Sequence, residues 1–419
     1  MKIAVVGGAS TYTPELMDGL ARSRDQIAVD EVWLVDPDRT RLELVAGVST
    51  RMFAREGHPG RVVATTDLVA AVSDADAVLI QLRVGGQRAR HGDETWPHLC
   101  GCIGQETTGP GGFAKALRTV PVMLDVAEVV RAHAKPTAWI VDFTNPVGIV
   151  TRALLEAGHR AVGLCNVAIT LQRTFAGLLQ ADPLQVHLQH VGLNHLTWER
   201  AVDVDGVDML PVLLRDHLAD VAGAVDLPPA LLTFLGAVPS SYLQYYYTHD
   251  AVLSRQLTSP TRAEAVMAIE EALLKEYADP RVNTKPEALK GRGGAFYSEA
   301  AIELFGSLLG NDEGRHVVNL RNDGALPFLP DDHVIEVPAV VNADGITALP
   351  IAEVPTDMAG LISHVAAYER LALDAAVHGG RDRVTRALLA HPLVGQYEPA
   401  EKLTDLLVSE NKDYLAWAR

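Results

Sequence analysis

The sequence predicts an α/β protein: a doubly wound parallel sheet at the N-terminus, followed by an α+β region. Three observations carry this. Short apolar runs alternate with helical patterns over residues 1–180. The first run ends in a glycine turn. Beyond residue 180 the apolar runs give way to period-two alternation and long amphipathic segments. Alternating β and α patterns mean a parallel sheet with crossover helices; period-two strands joined by turn residues mean antiparallel pairing.

The elements follow in order. Lys2–Val6 (KIAVV) is a short apolar run closed by Gly7 and Gly8, and it reads as a buried strand. Gly7-Gly8-Ala9-Ser10 then turns into a helix whose Leu16 and Leu20 share one face. Strand, glycine turn and helix N-terminus together make an anion site, because exposed N–H groups and the helix dipole favour phosphate there. Glu31–Val35 (EVWLV) is a second strand, ending in Asp36. A carboxylate at that point accepts the ribose hydroxyls of NAD and repels a 2′-phosphate. The turn is GGAS rather than GxGxxG, so a glycine turn in another α/β fold stays open. The Rossmann-like cofactor set read from this region is Gly7, Gly8, Ala9, Ser10, Asp36, Arg41 and Arg83.

Residues 77–82 (AVLIQL) form the next strand, leading into Arg83-Val84-Gly85-Gly86 and Arg90. Basic residues there lie where open α/β sheets bind ligands, although arginine-rich loops are ordinarily just solvated. Residues 104–112 (GQETTGPGG) are too poor in apolar side chains to be core and let backbone approach a ligand. Residues 138–143 (AWIVDF) make a further strand ending in Thr144-Asn145-Pro146, where Asn145 offers a donor and an acceptor or simply shapes the turn. Residues 161–164 run into Cys165, and Val191-Gly192-Leu193-Asn194 runs into His195. A thiolate and an imidazole at two strand ends can share a metal; each alone is more often a core residue. A helical pattern covers 170–180, which closes an NAD-binding domain over residues 1–180.

Residues 181–419 read as the α+β substrate and oligomerisation domain. Strands are expected at 185–190 and 198–204, with Asp205-Gly206 as a hairpin turn, and helices at 262–277, 358–377 and 381–393. In the tyrosine-rich stretch 239–247, Tyr242 stands at a helix start, while Tyr245, Tyr246 and Tyr247 read as packing. Arg262 opens the next helix and can hold an anion. The glycine-rich stretch 291–299 reads as close packing rather than chemistry.

Composition bounds the partners. The chain has 419 residues and a formal net charge of −17, which argues against nucleic acid and anionic membranes. Its three cysteines make no disulfide framework, and Met1 leads at once into the first strand, so a cytoplasmic protein without a leader is expected. No apolar run is long enough to span a bilayer.

With these residues in view, the chain resembles glycoside hydrolase family 4, the NAD- and divalent-metal-dependent glycosidases. The likeness rests on the GGAS turn, Arg83-Val84-Gly85-Gly86, the 104–112 loop, Thr144-Asn145-Pro146, Cys165-Asn166, Gly192 to His195, Tyr242 and Arg262, in that order. It implies Cys165 and His195 as ligands of Mn²⁺ or another divalent cation, Tyr242 as the base, and Glu106 as a catalytic carboxylate near it. Arg90, Asn145, Asn166 and Arg262 fall at substrate-binding positions. It also implies a redox-assisted elimination: C3 oxidation by NAD⁺, removal of the C2 proton, loss of the aglycone, water addition and return of the hydride. α-Specific relatives carry an aspartic acid where this chain has Asn166, which cannot act as a general acid. The implied substrate is therefore a 6-phospho-β-glucoside or phosphorylated disaccharide, and the implied assembly a homodimer or homotetramer. The alternatives are a family 4 enzyme for α-linked or unphosphorylated glycosides, an NAD-dependent 2-hydroxyacid dehydrogenase, which needs no Cys–His site, and a non-enzymatic NAD sensor.

Overall fold

Lys2–Val6 is apolar at four successive positions because it is covered on both faces: Ile3, Ala4 and Val5 are fully buried. This strand, β1, is the centre of a parallel sheet. With it run β2 (Glu31–Val35), β3 (Arg61–Thr65), β4 (Ala77–Ile80), β5 (Trp139–Asp142) and β6 (Ala161–Gly163), in the spatial order β3-β2-β1-β4-β5-β6. That is the dinucleotide-binding order, and it reverses direction between β1 and β4, where such sheets open a crevice at their carboxyl ends. The computed structural model describes residues 1–293, 296–310 and 313–418.

The sheet does not stop at β6. Seven further strands among the described residues extend it: β7 (Val186–Leu193), β8 (Leu196–Val204), β9 (Val207–Asp208), β10 (Val238–Pro239), β11 (Gly314–Arg321), β12 (Val334–Asn342) and β13 (Gly345–Ala348). The order continues β6-β11-β12-β7-β8-β10, all antiparallel, with β13 on β12 and β9 on β8. Residue 180, the domain limit read from the sequence, is the left-handed Gln180 that ends the helix Val167–Leu179.

The first expected hairpin strand runs three residues further than its alternation suggests, and the second starts two earlier. The tight turn between them is therefore Asn194-His195, while Asp205-Gly206 turns β8 into β9. The expected helices are present as Arg262–Ala278, Thr356–His378 and Arg381–Ala390. The last ends at His391 because Pro392 follows. Tyr242 lies not at the start of a regular helix but in a single 3₁₀ turn, Ser241–Leu243. No single helix among the described residues is long and apolar enough to cross a membrane.

Candidate active site

A cavity of about 760 Å³ opens at the carboxyl ends of β1, β4 and β5. At one end it meets the glycine turn. Gly7 has φ +85°, and a Cβ there would stand 2.6 Å from the Gln81 carbonyl, so only glycine fits. Ala9, Ser10 and the helix Thr13–Arg22 follow. Asp36, at the end of β2, accepts from the Ala9 amide at 3.3 Å and from the Asp38 amide at 2.9 Å; burial raises its pKa. Arg41 lies beside it with Nε buried and unpartnered, and its Nη2 is 3.4 Å from Glu270. A glycine cradle, a helix N-terminus and a carboxylate at the second strand fit the phosphates and ribose of a dinucleotide.

The opposite end is built from charge. Glu106 is buried and accepts from Arg83, from Lys115 at 2.7 Å and from Arg90 at 3.2 Å. Burial alone would raise its pKa; the three cations outweigh that and hold it well below the usual range. Lys115 is pushed down to about 7 by burial and by Arg83, against the pull of Glu106. Arg90 also bonds Glu94 at 2.7 Å. Glu106, expected to serve Tyr242, is thus occupied by cations, and Tyr242 is not among its hydrogen-bond partners.

Arg262 reaches the cavity from a helix fixed by the Thr261–Glu264 capping box, with Nη2 on the Gly291 carbonyl at 2.8 Å. Asn145 lines the cavity with Oδ1 buried and unpartnered; its peptide bond to Pro146 is cis. Asn166 occupies the N-cap position of the helix Val167–Leu179 and also lines the cavity.

Cys165 and His195 come together by an unexpected route. Their strands, β6 and β7, are not neighbours; β11 and β12 lie between them. One row of the sheet links all four: Gly163, Asn319, Glu336 and Gly192. Cys165 lies two residues beyond the first glycine, and His195 sits in the turn three beyond the second. His195 has φ +64°, a costly conformation for a non-glycine residue. Its ring stacks on Tyr242 with centroids 3.8 Å apart and planes within 10°. Nδ1 is buried and unpartnered, and burial pushes the imidazole down to about 4, so it is neutral. Burial raises the Cys165 pKa, opposed by the amides of Val167 and Asn166 and by the Asn194 side chain. The Tyr242 phenol is also raised, by burial and then by Cys165. A neutral imidazole with an orphaned nitrogen and a buried thiol, at the ends of strands joined by that row, suit a divalent cation. No group of three or more His, Cys, Asp or Glu able to hold a metal occurs among the described residues.

Several cavity residues escape sequence reasoning. Arg292, Tyr297 and Ser298 line it, so the 291–299 stretch, expected to serve packing alone, faces the site; its residues 294 and 295 lie outside the described residues. Glu270 gathers Arg292 at 3.0 Å, Gln87 at 2.9 Å and Arg41. Lys115 had a readable signal, a lone ammonium in the buried run Phe113–Leu117; Glu270 and Arg292 had none.

The profile for the family 4 glycosyl hydrolases matches residues 2–181, and that for their C-terminal domain matches residues 190–394. The chain belongs to glycoside hydrolase family 4. Among family 4 relatives, it is 37% identical to a probable 6-phospho-β-glucosidase of Bacillus subtilis (strain 168), over 99% of this chain and 97% of that one. It is 34% identical to the 6-phospho-β-glucosidase of Escherichia coli (strain K12), over 99% and 96%. The structure of the 6-phospho-β-glucosidase from Thermotoga maritima with manganese, NAD⁺ and glucose-6-phosphate superimposes with a TM-score of 0.92, at 34% identity, over 99% of both chains. A malate dehydrogenase from Salinibacter ruber, at 17% identity and a TM-score of 0.56 over 91% of this chain and 99% of that one, shares the fold alone.

Proposed function

We propose that this chain cleaves 6-phospho-β-glucosides with NAD⁺ and Mn²⁺, and that the stacked His195–Tyr242 pair beside Cys165 is its reaction centre. That pair carries the proposal, because a simple hydroxyacid dehydrogenase has no use for a thiol, an orphaned imidazole nitrogen and a buried phenol at one point. The substrate class rests on the β-glucosidase relatives and on Arg262 and Arg292, two of the five arginines that, among the described residues, line the cavity of an otherwise acidic protein. A ligand that must stay a free thiol suits a reducing cytoplasm.

When bound, NAD⁺ supplies the acceptor for the C3 hydride and Mn²⁺ the Lewis acid that acidifies the C2 proton. The protein does the rest. Gly7 to Ser10 and Asp36 seat the dinucleotide. Arg262 and Arg292 hold the 6-phosphate, and Asn145 offers its free Oδ1 to a sugar hydroxyl. Tyr242 takes the C2 proton; an unperturbed phenol has a pKa of about 10, and nearby positive charge favours its phenolate. Arg83, Arg90 and Lys115 exceed Glu106 and Glu94 by one charge, which keeps the wall beside the reacting sugar cationic while Lys115 is protonated.

A panel of nitrophenyl α- and β-glucosides, with and without a 6-phosphate, assayed with NAD⁺, Mn²⁺ and reductant, tests this. The β-glucoside 6-phosphate is expected to turn over best, without net NADH. Equal turnover of the unphosphorylated or α-linked compounds would overturn the substrate assignment.

A further inference from the structure

Behind the proposed metal ligands lies a network of buried polar groups that the chemistry above does not use, with Glu199 Oε2 and Asn319 Oδ1 left unpartnered. His190 and Glu199 face each other across β7 and β8, and Nδ1 stands 2.6 Å from a Glu199 oxygen. Its other nitrogen is 3.0 Å from Glu336 Oε1. With a carboxylate at each ring nitrogen, both nitrogens donate and the ring is an imidazolium. The second Glu336 oxygen accepts from Asn194 at 2.8 Å and from Asn319 at 2.9 Å. Glu336, Glu199 and His190 are each no more than 1% exposed.

The charges do not cancel. Two carboxylates against one imidazolium leave one buried negative charge. It falls in the sheet row that joins the two ligand-bearing strands, where Glu336 pairs with Gly192 and Asn319 with Gly163. Asn194, held by Glu336, is the residue before His195 in the turn that carries it. Glu336 is already engaged, accepting from His190 on one oxygen and from Asn194 and Asn319 on the other. Groups placed this way orient first ligands and set metal affinity.

We infer that Glu336 is a positioning residue for the Cys165–His195 metal site, holding Asn194 and with it the His195 turn, and placing one uncompensated negative charge behind both ligands. The inference rests on the metal site proposed above. It differs from a purely structural role, in which Glu336 would only pin β12 between β11 and β7.

The test is Mn²⁺ affinity of the metal-free full chain, read by electron paramagnetic resonance without substrate, with the sulfur-to-cobalt charge-transfer band of the Co²⁺ form as a second readout. NADH binding by fluorescence checks the fold of each variant. Glu336→Gln and Asn194→Ala are expected to weaken Mn²⁺ binding by about 10–100-fold and to shift the band. Asn319→Ala removes a Glu336 partner outside the turn that carries His195, and is expected to leave both readouts near wild type. Folded Glu336→Gln with wild-type affinity would overturn the inference. If Glu336→Gln does not fold, the other two variants decide, and equal effects from Asn194→Ala and Asn319→Ala overturn it. If Cys165→Ser leaves Mn²⁺ affinity and the cobalt band unchanged, the metal site itself is wrong and the inference falls with it.

Discussion

At its β1–β2 edge the cavity wall is made of backbone; at its β6–β7 side it is made of buried charge. The first edge is held by strands in unbroken register, Lys2 on Glu31 through to Val6 on Val35, with Asp36 anchored by two main-chain amides. On the far side, β6 and β7 each meet their inserted neighbour through a single residue pair. Away from the first edge, charge lies in the wall at Glu106 among three cations, and behind the wall at His190 between two carboxylates. The difference teaches that the end proposed to hold the cofactor is a shaped backbone with one anchored carboxylate, whereas the end proposed to move a proton from carbon gathers charges kept out of water, where they act strongly.

The largest expected effect strikes the charged side. Tyr242→Phe keeps the ring that stacks on His195 and removes only the hydroxyl. It is expected to lower kcat about 10²–10⁴-fold with NAD⁺ affinity unchanged. The accompanying measurement is deuterium incorporation from solvent at C2 of the product. Wild-type product without deuterium, or undiminished kcat in the variant, would remove Tyr242 as the base. Next comes Glu106→Gln, which strips Arg83 and buried Lys115 of their anion and leaves Arg90 with Glu94 alone. A loss of about 3 kcal/mol is expected from denaturant midpoints, since a broken buried pair typically costs about 3–5 kcal/mol and Lys115 can relieve part of it by deprotonating. A shift below about 1 kcal/mol would mean that the cluster does not organise this wall.

The same contrast explains what the sequence made legible. Lys2–Val6, Gly7-Gly8 and Asp36 lie within one short stretch, and their apolar period and glycine turn express local backbone physics. Cys165, His195 and Tyr242 were visible only as residue types in a known order. Nothing local says that β11 and β12, residues 314–342, come between their strands, because that insertion is a long-range pairing. The edge strand Arg61–Thr65 and the charged β11 also lack the uniform apolar run that marked β1. Glu336 and Glu270 read as ordinary acidic residues in a chain with 53 Asp and Glu, and burial alone sets them apart.

A smaller effect belongs to the backbone-built side. Asp36→Ala removes a charged acceptor for the ribose hydroxyls and the repulsion of a 2′-phosphate. A hydrogen bond to a charged group is worth about 1.5–3 kcal/mol, so NAD⁺ is expected to bind about 10–100-fold more weakly. NADP⁺, excluded by the same carboxylate, is expected to lose much less. Equal loss for both cofactors in titration calorimetry would show that Asp36 shapes the turn without selecting the cofactor.

The smallest effect, taken per unit of pH, is the titration of His190. Burial disfavours its cation, but Glu199 and Glu336 outweigh burial and hold the pKa up to about 10, against an ordinary value of 6.5. Between those values the folded chain keeps a proton that the unfolded chain has lost. The contribution to stability is therefore full below about pH 6.5 and declines by about 1.4 kcal/mol per pH unit as the pH rises toward 10. Lys115 runs the other way. Its folded pKa of about 7 lies below the ordinary 10.5, so over most of the same window the unfolded chain holds the extra proton. The two slopes oppose, and an unfolding curve on the wild type alone shows little net change from this pair between pH 8 and 9. The decisive measurement is site-resolved: the imidazole nitrogen resonances of His190 in ¹⁵N-histidine-labelled protein. They are expected to report a doubly protonated ring at pH 8.5. A ring that titrates near 6.5 would mean that the two carboxylates do not share an imidazolium, and the excess negative charge behind Cys165 would then be two units rather than one.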